Sequence, residues 1–276
     1  MDLQTRIREI KKLKADPDQI WDLEGFDGPL AAVKQLASGY LCLSPLAGEP
    51  DYSKAARHFK KASAMGSAAG FYNLAVLSAQ GLGQPADEAK AAKLFTSAAK
   101  LGSAEAAFVL GLLLALGRGV PQSKAKAAIW FERAASQGHR AAAIMTALAY
   151  RLGEGVKPDS KLAANWFEKA AVSGDAYGQY GLGTAYVTGE GVPADDARGA
   201  RLLLESAQKG TLPAKSDVAL LFACGRGLPK DLDLALYWFK QAAASDSSAA
   251  NTLSVLKALT APEATPDESQ AERYEH

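Results

Sequence analysis

One spacing constrains the fold of this chain more than any other feature. Glycines recur at constant steps of 36 residues, and they stand at Gly66, Gly102, Gly138, Gly174 and Gly210. Gly-x-Gly pairs and a column of phenylalanines keep the same step, each at its own offset within the period. Self-similarity at a fixed period of this length is typical of solenoids, in which each unit packs on its neighbours along the chain.

Each unit is predicted to contain two helices. In one unit the first helix is expected over residues 104–116, where apolar residues recur at the helical period. A Gly-x-Gly pair follows it, and glycine readily adopts the positive φ angles of a tight reversal. The second helix ends at the glycine of the next unit. It is predicted to begin at an N-cap residue, and these residues are Asp51, Asp87, Ser123, Asp159, Asp195 and Asp231.

The compound pattern resembles the Sel1-like repeat, a relative of the tetratricopeptide repeat. The segments WFERAASQG (130–138), WFEKAAVSG (166–174) and GEGVKPDSKLAANWFEKAA (153–171) carry the resemblance, which covers residues 30–260. The resemblance implies an all-α fold, a right-handed α/α superhelix (solenoid) of tandem helix-turn-helix repeats.

The ends of the chain differ from its repeats. We predict an N-terminal capping helix and lead-in over residues 1–29, a repeat solenoid over 30–260, and a disordered acidic tail over 261–276. The predicted repeats are 30–65, 66–101, 102–137, 138–173, 174–209 and 210–245, followed by a terminal helix at 247–260.

The repeat at 174–209 departs from the pattern, because Gly199 falls inside its second helix and the aromatic pair is missing. Glycine in a helix interior costs about 0.5–1 kcal/mol relative to alanine. We therefore expect a less stable junction of the solenoid at this repeat.

The charge balance and the hydropathy of the sequence indicate what kind of partner the protein binds and in which compartment it is expected. Lys and Arg total 31 against 30 Asp and Glu, so the basic excess of a nucleic-acid binder is missing. The most apolar stretch, residues 109–116, is too short to span a bilayer, and the charged N-terminus does not read as a secretory signal. We expect a cytoplasmic protein of bacterial type with no membrane insertion. An exported, envelope-facing or host-facing member of the family is the alternative.

The two cysteines, Cys42 and Cys224, stand five repeats apart in the sequence. A disulfide requires Cα atoms within about 7 Å, whereas neighbouring helices already lie about 8–10 Å apart. We therefore expect both thiols to be unpaired.

Few motifs in the sequence are typical of catalysis or of metal binding. Ser-x-x-Lys pairs occur at Ser97/Lys100 and Ser123/Lys126, but the other triplets of a serine β-lactamase are missing. The histidines do not stand at metal-ligand spacing, so neither a metal nor a cofactor is expected. His139 follows a C-cap glycine and is expected to be exposed. A β-lactamase-like hydrolase is the less favoured alternative to a non-catalytic protein.

The predicted function is that of a protein-protein interaction scaffold or adaptor. A superhelix of helix pairs presents a concave face lined mainly by the first helix of each repeat. We expect a partner protein or peptide on this face and no small-molecule substrate. By resemblance to tetratricopeptide repeats, the groove-facing positions are Tyr72, Phe108, Ile144, Tyr180, Leu112 and Leu148. Positions that vary between repeats add Glu105, Tyr177, Arg151 and Asp217.

The aromatic rings at these positions have a second interpretation. Aromatic residues that recur at helical spacing usually belong to the core, so Tyr72, Phe108 and Tyr180 are also candidates for packing between neighbouring repeats.

Overall fold

A computed structural model describes residues 29–44 and 48–244. These two ranges contain twelve helices and no strand. The predicted N-terminal capping helix, the terminal helix at 247–260 and the acidic tail lie outside the described residues. The helices are α1 (Pro29–Cys42), α2 (Tyr52–Ala64), α3 (Ala68–Gln80), α4 (Glu88–Lys100), α5 (Ala104–Leu116), α6 (Lys124–Ser136), α7 (Arg140–Leu152), α8 (Ser160–Val172), α9 (Ala176–Thr188), α10 (Asp196–Gln208), α11 (Leu212–Cys224) and α12 (Leu232–Ala243).

The chain divides into two compact units, with the division after Lys157. The first unit holds α1 to α7 and the second holds α8 to α12. Inside each unit a helix packs mainly on the helices that precede and follow it in the sequence, which is the packing expected of tandem helix pairs.

The predicted N-caps are confirmed. Each of the six residues precedes a second helix, and its side-chain oxygen accepts a hydrogen bond from the backbone N–H three residues later. The first helices are capped in the same way by Ser67, Ser103 and Asp175, and by the imidazole of His139. Because capping is a local interaction, the sequence was sufficient to predict where the second helices begin.

The Gly-x-Gly pairs form the turns between the two helices, as predicted. The first glycine of each pair is the left-handed C-cap of a first helix, as at Gly153 with φ of 70°. The second glycine also has a positive φ and lies directly against the preceding repeat. A Cβ atom on Gly155 would lie 2.3 Å from the carbonyl carbon of Lys124, and one on Gly191 would lie 2.0 Å from the oxygen of Ser160. Two separate requirements therefore select glycine at this position.

A column of polar contacts joins neighbouring repeats inside each unit. The residue between the two glycines contacts the first residue of the second helix in the preceding repeat, always thirty positions earlier. The pairs are Arg118 with Glu88, Lys124 with Glu154, Ser160 with Glu190, and Arg226 with Asp196. The sign of the charge reverses between the first two pairs, and each pair remains complementary.

The core combines many buried alanines with larger apolar residues from both helices, such as Leu110 and Trp166. The phenylalanine column is buried throughout, since Phe59, Phe95, Phe131, Phe167 and Phe239 expose at most 4% of their surface. Leu203 takes the same place in the repeat without the aromatic pair and exposes 2%.

Gly199 has a packing role that was not included in the expectation of a less stable junction at this repeat. A Cβ atom there would lie 2.7 Å from Val187 Cγ2 and 2.8 Å from the carbonyl oxygen of Gly183. Gly199 is buried, and α10 runs without a break from Asp196 to Gln208. The two glycines thus allow α9 and α10 to approach closely, so glycine at this position is required by a helix contact.

Candidate functional site

The candidate residues all lie on first helices of the repeats. We call the surface of α3, α5 and α7 the first-helix face of the first unit, and the surface of α9 and α11 the first-helix face of the second unit. Tyr72 lies on α3, Glu105, Phe108 and Leu112 lie on α5, Ile144, Leu148 and Arg151 lie on α7, Tyr177 and Tyr180 lie on α9, and Asp217 lies on α11. Glu105 and Tyr177 are exposed, and the other eight are half-buried.

In the first unit, two of the candidates meet at the N-terminus of α7. The ring of Phe108 stacks on the imidazole of His139, with centroids 4.5 Å apart and an interplanar angle of 26°. Glu105 lies one turn before Phe108, and its Oε2 is 3.0 Å from His139 Nε2. His139 was expected to be exposed, but only 15% of its side chain is, because it stacks on Phe108 and caps α7.

The hydrogen bond that caps α7 determines the tautomer of His139. Its Nδ1 accepts a hydrogen bond from the backbone N–H of Ala142 at 3.1 Å, so that nitrogen carries no proton. The remaining ring proton is therefore on Nε2, which donates to the carboxylate of Glu105. One histidine thus joins the end of a helix to an acid on the preceding first helix.

The aromatic candidates of the first unit pack on the core. Tyr72 meets Phe95 edge-on at 5.5 Å, and Phe108 meets Phe131 at 5.9 Å. Burial raises the pKa of Tyr72, and the nearby charge of Glu105 raises it further. Each ring covers the buried phenylalanine of its own repeat, while the half-burial of Tyr72 and Phe108 leaves part of their surface open to solvent.

Two leucines at the C-terminal ends of first helices are far more exposed than the candidates beside them. Leu116 ends α5 and is 66% exposed, and Leu152 ends α7 and is 62% exposed. Both occupy the same position in successive repeats, next to the half-buried Leu112 and Leu148. Sequence reasoning did not select them, although their shared 36-residue phase was a signal that could have done so.

The second unit contains a pocket of about 310 Å³ on its own first-helix face. The last turns of α9 and α11 form most of its wall, and Leu203 of α10 adds to it. The lining residues are Thr184, Val187, Thr188, Leu203, Asp217, Leu220, Leu221, Cys224 and Arg226. Most of the lining surface is apolar, and Leu220 is 48% exposed.

Asp217 and Tyr180 are brought together beside this pocket. The Tyr180 hydroxyl donates a hydrogen bond to the Asp217 carboxylate. Burial raises the pKa of Asp217 above its ordinary range, and the hydrogen bond from Tyr180 opposes that shift only in part. Among the described residues, Asp217 forms no ion pair. Tyr177, at the first turn of α9, is outside the pocket lining.

Arg226 also lines the pocket, and two of its three nitrogens already donate to groups of the same unit. Its Nε donates to Asp196 Oδ2 at 3.0 Å, and its Nη2 donates to the backbone oxygen of Val187 at 2.6 Å. Arg226 belongs to the column of contacts between repeats, which sequence reasoning did not identify.

The Sel1 repeat family matches the chain over six segments, residues 32–67, 72–103, 104–139, 140–175, 176–211 and 213–247. The chain belongs to the Sel1 repeat family. Repeats of this kind stack helix pairs into solenoids and generally mediate protein-protein interactions. The predicted fold class is therefore confirmed.

Two solved structures resemble this Sel1 repeat protein. One is a protective antigen present in uropathogenic Escherichia coli strains that displays an SLR fold; it is 29% identical, with a TM-score of 0.78 over 92% of this chain and 54% of that one. The other is a Sel1 repeat protein from Oxalobacter formigenes, 30% identical, with a TM-score of 0.66 over 82% of this chain and 65% of that one. This chain thus spans less than two thirds of the length of either relative. A search of curated protein sequences finds no significant match.

The serines of the Ser-x-x-Lys pairs have structural roles in these repeats. Ser123 is the N-cap of α6, and the Ser97 hydroxyl donates to the backbone oxygen of Lys93 at 3.2 Å. Cys42 and Cys224 are both free thiols, as expected. No helix in the described part of the chain has the length and apolar character needed to cross a membrane.

Proposed function

We propose that this Sel1 repeat protein is a non-catalytic scaffold or adaptor that binds a partner protein or peptide on its first-helix face. The observation that supports this most strongly is the exposure of Leu116 and Leu152, large apolar side chains at one position of successive repeats. Exposed apolar side chains that cluster on one face of a soluble protein commonly mark an interaction site. The candidates Leu112, Ile144, Leu148 and Arg151 lie on the same two helices, α5 and α7.

The first-helix face can be tested against the opposite helices with matched variants. Leu116→Ser and Leu152→Ser each remove an exposed leucine from a first helix. Ile129→Ser is the control, because Ile129 is 63% exposed on the second helix α6. We expect wild type and Ile129→Ser to capture the same partner from native lysate, identified by mass spectrometry. The two leucine variants should lose it while keeping their thermal midpoints.

Equal capture by all three variants would place the partner on another surface. Loss of capture by Ile129→Ser alone would assign binding to the second helices. Either result would overturn the proposal for this face.

The compartment is a separate part of the proposal. We place the protein in the bacterial cytoplasm, on its two free thiols and the bacterial origin of the two relatives. The relative in uropathogenic E. coli is a protective antigen, which favours the exported alternative. Fractionation of source cells, followed by N-terminal sequencing of the protein, distinguishes the two.

A further inference from the structure

We propose that the pocket between the last turns of α9 and α11 binds a lysine or arginine side chain of the partner, with Asp217 as the acceptor of its charge. This inference rests on the proposed function and names the chemistry of the segment that is bound. Three features of the pocket support it: a carboxylate without a cation, two helix C-termini, and an apolar wall.

The first feature is the unbalanced charge of Asp217. Its carboxylate has one hydrogen bond, from Tyr180, and no ion pair among the described residues. Arg226, the other charged residue of the lining, is paired with Asp196 at 2.9 Å. The pocket therefore has one negative charge to offer, and a buried charge is stabilised by a partner of opposite sign.

The second feature is the convergence of two helix ends. Val187 and Thr188 belong to the last turn of α9, and Leu221 and Cys224 belong to the last turn of α11. The C-terminus of a helix carries a partial negative charge, which favours a cation nearby. Both helix ends thus act in the same direction as Asp217, and Arg226 already occupies one acceptor at the α9 end, the backbone oxygen of Val187.

The third feature is the apolar wall, which selects among cations. Val187, Leu203, Leu220 and Leu221 line the pocket around the polar groups. Lysine and arginine have long aliphatic stems that pack on apolar surface while the charged head reaches a polar partner. A hydrated metal ion or a small ammonium ion would leave this wall uncovered.

The test begins with peptides of known sequence. A random peptide library displayed on phage is selected against the full chain, and the selected peptides are synthesised for titration calorimetry. We expect them to share a basic residue. Replacing that residue by norleucine, which keeps the aliphatic stem and removes the charge, should weaken binding at least tenfold.

Asp217→Asn should weaken binding of the basic peptide by a similar factor and should leave binding of the norleucine peptide unchanged. Asp233→Asn is the control, because Asp233 is an exposed acid on α12 of the same unit. Leu220→Ala removes part of the apolar wall. Because Leu220 is 48% exposed, a change in peptide binding can be assigned to the loss of the wall and not to damage to the core.

The rate at which Cys224 is alkylated reports whether the pocket is occupied. Cys224 lines the pocket and is exposed, so the rate of its alkylation by iodoacetamide can be followed by mass spectrometry. A peptide seated in the pocket should slow that rate at least fivefold. Cys42, in the first unit, serves as the internal reference.

The outcomes separate this inference from the proposed function. Peptides that bind with no basic residue, or without protecting Cys224, overturn the pocket assignment and leave the peptide-binding function standing. Failure to select any peptide counts against both. If Asp217→Asn does not fold, the norleucine comparison and the protection of Cys224 decide the question with the wild-type chain.

Discussion

Lys124, the first residue of α6, donates a hydrogen bond of 2.9 Å to Glu154, which lies between the two glycines of the next repeat. One repeat earlier the same contact has the opposite polarity, with Glu88 on the helix and Arg118 in the turn. The polarity of each pair therefore differs while its geometry is retained.

The reversal can be tested by exchanging charges. Lys124→Glu alone places two acids together and should lower the free energy of unfolding by about 0.5 kcal/mol, since these side chains are more than half exposed. Adding Glu154→Arg recreates the polarity of the preceding pair and should restore stability. Urea unfolding of the two single variants and the double variant measures the coupling. A coupling of zero at low salt would contradict the pairing.

Ser78 is completely buried, and its hydroxyl has no hydrogen-bond partner among the described residues. A buried polar group without a partner costs about 1–3 kcal/mol, so Ser78→Ala should raise the free energy of unfolding by about 1 kcal/mol. Ser206 is the matched control, because it is equally buried but donates to the oxygen of Ala176 at 2.7 Å. Ser206→Ala should lower stability by about 1 kcal/mol. The same sign for both variants in urea unfolding would contradict this account.

The glycines of the turns should differ in their tolerance of alanine. Gly138 and Gly155 both have positive φ, of 86° and 77°, but a Cβ atom on Gly138 would meet nothing within 4 Å. Gly138→Ala should cost only the backbone strain, about 1 kcal/mol. Gly155→Ala adds a clash with the backbone of Lys124 and should cost about 2 kcal/mol more. Thermal melts of the two variants measure the difference, and equal losses would exclude the close contact.

The stability of the second unit should depend on the ionisation of Asp217. Because its pKa is raised, the folded chain binds this proton more tightly than the unfolded chain. The ionised group therefore lowers stability as pH rises from its ordinary value of 3.8 through the raised pKa. Asp217→Asn should be more stable than wild type at neutral pH, and the advantage should vanish at about pH 3. Urea unfolding at the two pH values checks this. An advantage that persists in acid would show that the charge is not its source.

Alanine substitutions at Phe108 and Tyr177 test which of the aromatic candidates pack in the core. Phe108 packs on Phe131 and His139, so Phe108→Ala should cost about 3 kcal/mol of folding free energy. Tyr177 is 56% exposed, so Tyr177→Ala should change stability by less than about 0.5 kcal/mol. Denaturant unfolding compares the two. A small loss for Phe108→Ala would mean that its ring serves the surface alone.

The sequence predicted the parts of this structure that depend on neighbouring residues along the chain. The helix over residues 104–116 has the expected bounds, and Asp159 caps α8 as predicted, because periodicity and capping are local properties. The glycine turns were predictable for the same reason.

The parts that were not predicted depend on contacts between helices and turns that are separated in the sequence. The close approach at Gly199, the half-burial of His139 and the pairing of Lys124 with Glu154 all join residues on different helices or turns. The pocket beside Asp217 is of the same kind, since three helices contribute to its wall. Asp217 itself was selected only because its position varies among the repeats.

The contacts spaced by thirty residues restrict the order in which these repeats can be arranged. A tandem duplication of the repeat that carries Arg118 and Lys124 would set these two cations against each other at the new junction. Duplication of the repeat that carries Glu190 and Asp196 would set two acids together. Duplication of either of these two repeats therefore requires a compensating substitution at the new boundary, so the charges restrict which repeats of the array can be copied in tandem.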